Sequence, residues 1–264
     1  MPLRIATWNV NSLRQRLGHL ARLTAEAAPD VVCLQETKVE DGAFPLQEVK
    51  ALGYSQILHN GQKSYNGVAI LSRLALRPLE RRRWCRKDDC RHLAVVLPGD
   101  IELHNFYVPS GGPVPDPAEN DKFAHKLAFL KEMAAWAKRE KVAQRKLVLV
   151  GDLNVAPLET DVWNHKRLVR SVGHTPGESA LIAALLKAGS LSDVPRRFVP
   201  PDQPLYTWWG YRFAESFQKD YGWRLDHIFA SPPMAKHVQT ITVRRQTRAW
   251  ERPSDHVPVV LELS

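Results

Sequence analysis

The chain has 264 residues, 44% hydrophobic and 25% charged, with a formal net charge of +9; this supports a large core, excludes a disordered chain, and suits a single domain expected over residues 1–264. The charge points to a polyanionic partner, nucleic acid first, with anionic membrane or a phosphorylated small molecule behind it. Three cysteines, an odd and low number, exclude a disulfide framework and fit a reducing compartment.

The opening Met1-Pro2-Leu3-Arg4-Ile5 lacks the apolar stretch and cleavage site of a signal peptide. Leu3–Thr7 reads as a buried strand, and Ser12–Ala27 as a helix with Leu13, Leu17, Leu20 and Leu23 on one face. Further buried strands are expected at Val31–Leu34, Gly67–Leu71, Leu93–Leu97 and Leu103–Val108. Cys85, Cys90 and His92 look like part of a zinc site, but the spacing is unusual and no fourth ligand is near, so zinc is not expected. Pro109 to Pro117 is one long loop. A helix over Asp121–Lys141, a strand at Lys146–Val150, a helix over Glu178–Ala188, and strands at Leu225–Ala230 and Val257–Leu263 complete the chain. Asp121 and Glu178 stand near helix starts, where acidic side chains complement unsatisfied N–H groups. No window approaches 18 apolar residues, so no membrane span is expected and the protein is expected in the cytoplasm.

Strands follow strands without an intervening helix from 67 to 108 and from 225 to the end. That disfavours a doubly wound parallel sheet and predicts an α/β (α+β) sandwich, two packed mixed sheets flanked by helices.

Five of the apolar strands run directly into polar residues: Asn9 and Asn11, Gln35 and Glu36, Asn105 and Tyr107, Asp152 and Asn154, and Asp226-His227. A sixth cluster, Ser254-Asp255-His256, precedes the last strand. Any one of these has an ordinary reading as a turn or cap residue. Burying any of them unpaired costs a few kcal/mol, so six together predict one shared polar cleft.

The segments Thr-Trp-Asn-Val-Asn-Ser-Leu-Arg (7–14), Leu-Gln-Glu-Thr-Lys (34–38), Gly-Asp-Leu-Asn-Val-Ala (151–156), Arg-Leu-Asp-His-Ile (224–228) and Ser-Asp-His-Val-Pro (254–258) resemble, in order, the exonuclease III branch of the endonuclease/exonuclease/phosphatase superfamily. Tyr206–Arg212 and Gly222–Asp226 narrow the resemblance to the apurinic/apyrimidinic (AP) endonucleases. It implies a deoxyribonuclease I-like fold and a metal-dependent DNA repair nuclease. Such an enzyme incises 5′ to abasic sites and acts on 3′ ends of double-stranded DNA, here as a monomer. The competing readings are another phosphoesterase of the superfamily, such as a nonspecific deoxyribonuclease or an inositol-phosphate phosphatase, and a non-catalytic DNA-binding module. The intact set Glu36, Asp152, Asn154, Asp226 and His256 counts against the latter.

Phosphodiester hydrolysis needs charge neutralisation, an activated water and a stabilised leaving group. A hard cation such as Mg²⁺, with Mn²⁺ as substitute, takes oxygen ligands. Glu36 is the first expected ligand, Asp255 a further one, and Asn9 and Asn11 would orient it or its waters. Asp226 would fix the tautomer of His256, a pair that the resemblance implies contacts the scissile phosphate. Asp152 is the rival base, with Asn154 beside it, and sequence leaves the two open. Tyr107 would bind a non-bridging oxygen or the leaving group. Strand alternation turns His227 to the opposite face, and His19, His59, His104, His125, His165, His174 and His237 are expected as surface or packing residues.

The resemblance makes Trp208, Trp223 and Leu225 the walls of a slot for a flipped-out deoxyribose without a base. Trp209 reads equally as core. Arg212 would reach the duplex, and the basic run Arg73, Arg77, Arg81, Arg82, Arg83, Arg86, Lys87 is a second candidate for phosphate contact. The chain departs from the family pattern at Ser110-Gly111-Gly112-Pro113 and at His174, where a phenylalanine is usual.

Overall fold

The computed structural model describes residues 2–213 and 215–264. Among these residues twelve strands form in chain order: β1 (Leu3–Asn9), β2 (Val31–Gln35), β3 (Gln56–Asn60), β4 (Val68–Ser72), β5 (Arg77–Pro78), β6 (His92–Leu97), β7 (Ile101–Tyr107), β8 (Leu147–Asp152), β9 (Ser192–Asp193), β10 (Asp226–Ala230), β11 (Val238–Val243) and β12 (Val259–Leu263). They build two six-stranded sheets, ordered β11-β12-β1-β2-β4-β3 and β5-β6-β7-β8-β10-β9. Each sheet is antiparallel except for one central parallel pair, β1 with β2 and β7 with β8. The expected sandwich of two mixed sheets flanked by helices is the observed architecture.

The sheets meet through Ile5, Val31 and Ile70 on one side and Val95, Leu103, Val148 and Ile228 on the other. The reverse face of the first sheet (Ala6, Trp8, Val32, Leu34) is covered by Leu20 and Leu23 of helix α1 (Leu17–Ala27). After the short α2 (Leu46–Ala51), the long α3 (Asp121–Arg139) packs Phe129, Met133 and Trp136 on Phe106 and Leu149 of the second sheet. The four-residue α4 (His165–Leu168) precedes α5 (Pro176–Gly189), which adds Ile182 and Leu185 to the same cluster, and α6 (Pro232–Ala235) follows β10. Because helices cover both sheets, the inner strands are apolar on both faces and read as continuous apolar runs. No helix among the described residues is long and apolar enough to cross a membrane.

Two differences from the expected elements have physical causes. The first helix starts at Leu17, not Ser12, because the N–H groups of Ser12 and Leu13 bond to the carbonyls of Glu36 and Thr37 at 2.8 and 3.0 Å. Strands β3 and β11 escape detection because they are sheet edges whose residues are mostly part-exposed, so their apolar side chains do not form a continuous buried run.

Near one end of the sandwich the sheets are joined by polar contacts. The Gln35 amide donates to Asn105 Oδ1 at 2.7 Å and to Thr7 Oγ1 at 3.0 Å, and Asn105 Nδ2 donates to the carbonyls of Leu34 and Ala69. These buried amides fix the relative height of the strand ends that carry the cleft.

Candidate active site

Register places three side chains in a row. Tyr107 on β7 stands opposite Asp152 on β8, which stands opposite Asp226 on β10. The preceding Gly151 has φ +140°, and a Cβ there would lie 1.9 Å from the Phe106 carbonyl oxygen, so only glycine allows this approach of β8 to β7.

The first sheet supplies the facing groups. Asn9 ends β1, and its Nδ2 donates to Glu36 Oε1 at 2.9 Å and Asp152 Oδ2 at 2.8 Å, joining carboxylates from the two sheets. Lys38 Nζ lies 2.9 Å from Glu36 Oε2 and donates to Asn11 Oδ1 at 2.5 Å. Asn11 Nδ2 donates to Asp255 Oδ1, and Trp208 Nε1 to Asp255 Oδ2, both at 2.9 Å. Asn154 adopts a left-handed backbone at φ +54°, its N–H donating to Asp152 Oδ1 at 2.9 Å and its Nδ2 to the Val108 carbonyl at 2.9 Å.

His256 Nδ1 donates to Asp226 Oδ2 at 2.8 Å, and its Nε2 is 3.7 Å from Asp152 Oδ2. Burial opposes a charged imidazole here, but the carboxylates of Asp226 and Asp152 outweigh it and raise the His256 pKa to about 10. Asp152 is pushed up to about 7, first by burial and then by Asp226 and Glu36, against the pull of His256. Burial, followed by Glu36 and Asp152, holds the Tyr107 hydroxyl protonated well above its ordinary range. For Glu36 burial is outweighed by its bonds from Asn9 and Lys38, so its carboxyl is held below the usual range. Asp255 is likewise depressed: burial is outweighed by His256, Asn11 and Trp208.

This donor set fits a hard divalent cation. Glu36 and Asp255, both held ionised, line the cleft and offer carboxylate oxygens, and the buried Asp226 Oδ1, without a hydrogen-bond partner, belongs to a cluster with Asp152 and His256 whose ligand atoms lie within 4.8 Å of one another. A charged imidazole has no lone pair to offer, so oxygen donors remain.

A cavity of about 310 Å³ opens onto these groups, walled by Trp208, Trp223 and Leu225 and reaching Glu36, Asn154 and His256. The two indoles meet edge to face at 6.2 Å, and the Trp208 backbone pairs with those of both Trp223 and His256. Trp209 is fully buried with Nε1 donating to Asp220, a core residue. His227 turns away, as alternation predicts, and its Nε2 donates to the Val155 carbonyl at 2.7 Å. Exposed Arg212 lines a second cavity rather than the cleft. In the basic run, Arg81 and Arg82 face Asp88 and Glu140.

Sequence reasoning missed the cleft's support. Fully buried Lys126 lies 2.5 Å from Glu178 and donates to the Asn154 carbonyl at 2.6 Å. Glu178 also accepts the N–H groups of Gly173 and Thr175. A lysine inside the apolar stripe of α3 was one signal. The run Thr175-Pro-Gly-Glu178, a capping box in the structure, was the other. Thr207 Oγ1 accepts the N–H groups of Leu225 and Asp226, each at 3.1 Å. His174 is buried against Trp223, donating from Nδ1 to the Ala156 carbonyl at 2.6 Å and facing His165 at 2.9 Å.

The model of the endonuclease/exonuclease/phosphatase family matches residues 6–256. Over 98% of this chain and 99% of the relative, the sequence is 30% identical to exodeoxyribonuclease III of Haemophilus influenzae. It is 27% identical to an exodeoxyribonuclease of Bacillus subtilis over 98% of each. The fold is similar to a 3′-5′ exonuclease from Neisseria meningitidis (TM-score 0.89, 34% identity, 99% of this chain and 100% of that one). It is also similar to an AP endonuclease from Archaeoglobus fulgidus (TM-score 0.91, 32% identity, 99% of each chain).

Proposed function

The chain belongs to the endonuclease/exonuclease/phosphatase family, as a DNA repair nuclease of its exonuclease III type, and from that premise we propose that it hydrolyses phosphodiesters 5′ to abasic sites and at 3′ ends of duplex DNA. It does so as a monomer in the cytoplasm, where three free cysteines suit a reducing compartment. The observation that carries the proposal is the cavity whose apolar wall of Trp208, Trp223 and Leu225 faces Glu36, Asn154 and His256. An apolar slot beside a polar floor admits a baseless deoxyribose while presenting its phosphate to charge.

Glu36 and Asp255 would hold a divalent cation, Mg²⁺ or Mn²⁺, with Asn9 and Asn11 orienting them; when bound, it neutralises phosphoryl charge and acidifies water. His256, kept charged by Asp226, faces the scissile phosphate and offsets its negative charge. A histidine that already carries its proton cannot take another, which favours Asp152 as the base. Near pKa 7 it exchanges a proton with the attacking water at neutral pH. Asn154 positions that water or a phosphate oxygen. The Tyr107 hydroxyl donates to a non-bridging oxygen or the leaving group. Arg212 contacts the duplex beyond the slot.

The test is Trp223→Ala on two substrates. kcat/KM on a duplex with one abasic site falls by about 10- to 100-fold, while hydrolysis of a small phosphodiester is unchanged. Equal loss on both would make Trp223 a packing residue and sink the pocket reading.

A further inference from the structure

A second cavity, also of about 310 Å³, adjoins the first and shares Trp208 and Trp223 with it. It is lined mainly by carbon, and its outer wall is aromatic: Trp163 and Tyr221 stack with centroids 4.2 Å apart at 29°. Arg167 lies over the Trp163 ring at 5.6 Å. Phe213 lines it while remaining 65% exposed, a large apolar side chain left in solvent beside a charged cleft. The aromatic pair is not required to close the core, since Trp163 and Tyr221 are both only partly buried.

The proposed function leaves a physical problem that this cavity answers. An abasic site brings a bare sugar to the first cavity, whereas cleavage at 3′ ends brings a sugar that still carries its base, and that base needs an apolar seat of its own. We propose that the second cavity is a nucleobase subsite, which receives the unpaired base of a 3′-terminal nucleotide whose sugar lies between Trp208, Trp223 and Leu225. The chemistry suits the occupant. Aromatic faces stack on any base without reading its edges, and a guanidinium at the rim adds cation–π and phosphate attraction. Arg167 and Arg212 supply two such cations. A base must be unstacked and unpaired to enter, so the subsite favours mismatched or frayed termini over paired ones.

This inference rests on the nuclease reading, and its test separates the two. Trp163→Ala, Tyr221→Ala and the double variant are compared with the unaltered protein on a recessed 3′ end with a mismatched terminal nucleotide, the same end fully paired, and an abasic duplex. On the mismatched end kcat/KM falls by about tenfold in each variant, whereas abasic incision is unchanged. An unchanged rate on the mismatched end overturns the subsite, and so does an equal fall on all three substrates. If the unaltered protein cleaves none of the three DNAs, the nuclease reading fails and the subsite falls with it. A second measurement does not depend on variants that fold. A 2-aminopurine at the mismatched 3′ terminus, mixed with the unaltered protein in EDTA, loses emission as it seats against the aromatic pair. Undiminished emission at saturating protein overturns the proposal.

Discussion

Asn9 uses both amide hydrogens to bridge Glu36 and Asp152, so the carboxylates of two sheets are set by one side chain before substrate arrives. The other half of the cleft is a unit of a different kind, in which Asp226 keeps His256 charged and His256 in turn limits how far the Asp152 pKa rises. Groups that act together give losses that do not multiply. Asp226→Asn and His256→Ala should each remove most of the rate on an abasic duplex, and the double variant should lose little more; fully multiplicative losses would show two independent groups. Most of this cleft was legible in sequence because its members stand in short motifs at strand ends, Glu36 in 34–38 and His256 in 254–258. The Lys126–Glu178 pair was not, because its members lie on separate helices and meet only through the packing of α3 against α5.

At the level of elements, alternation along β10 decides which residues face the cleft. Asp226 points into it, and His227 points behind, into a dry layer where burial lowers its pKa to about 4. The folded value lies below the ordinary 6.5, so the folded state favours the neutral ring. The contribution of His227 is therefore complete above pH 6.5 and declines as pH falls towards 4, by up to about 3 kcal/mol. Buried His92 and His104 shift in the same direction, chiefly through burial. Denaturant melts at pH 7 and pH 5 should show a smaller acid loss for His227→Gln than for the unaltered protein. An equal loss would mean that His227 does not titrate on unfolding in this range. Sequence revealed this alternation and the buried strands because inner strands are apolar on both faces. It hid β3 and β11, edge strands that mix part-buried apolar residues with exposed polar ones, and it lengthened α1 because the Ser12–Arg16 segment has helical spacing but is pinned to the turn after Glu36.

At the scale of the whole molecule, a net charge of +9 acts over the cleft as well as within it. Each phosphate neutralised on binding releases counterion, so affinity for undamaged duplex should fall steeply as salt rises. A flat response in a salt titration would divorce the charge from DNA. The long-range assembly was also readable at this scale, since strand following strand disfavoured a doubly wound sheet. The pairing order of the two sheets was not, because side-chain pattern carries no record of which edge meets which. The most direct measurement is digestion of a duplex carrying one abasic-site analogue, beside an undamaged control, in Mg²⁺ and in EDTA. The predicted result is a single cut on the 5′ side of the lesion, present with Mg²⁺, lost in EDTA and absent from the interior of the control. Incision that survives EDTA, or that cuts both duplexes internally alike, would contradict a metal-dependent nuclease with a slot for the baseless sugar.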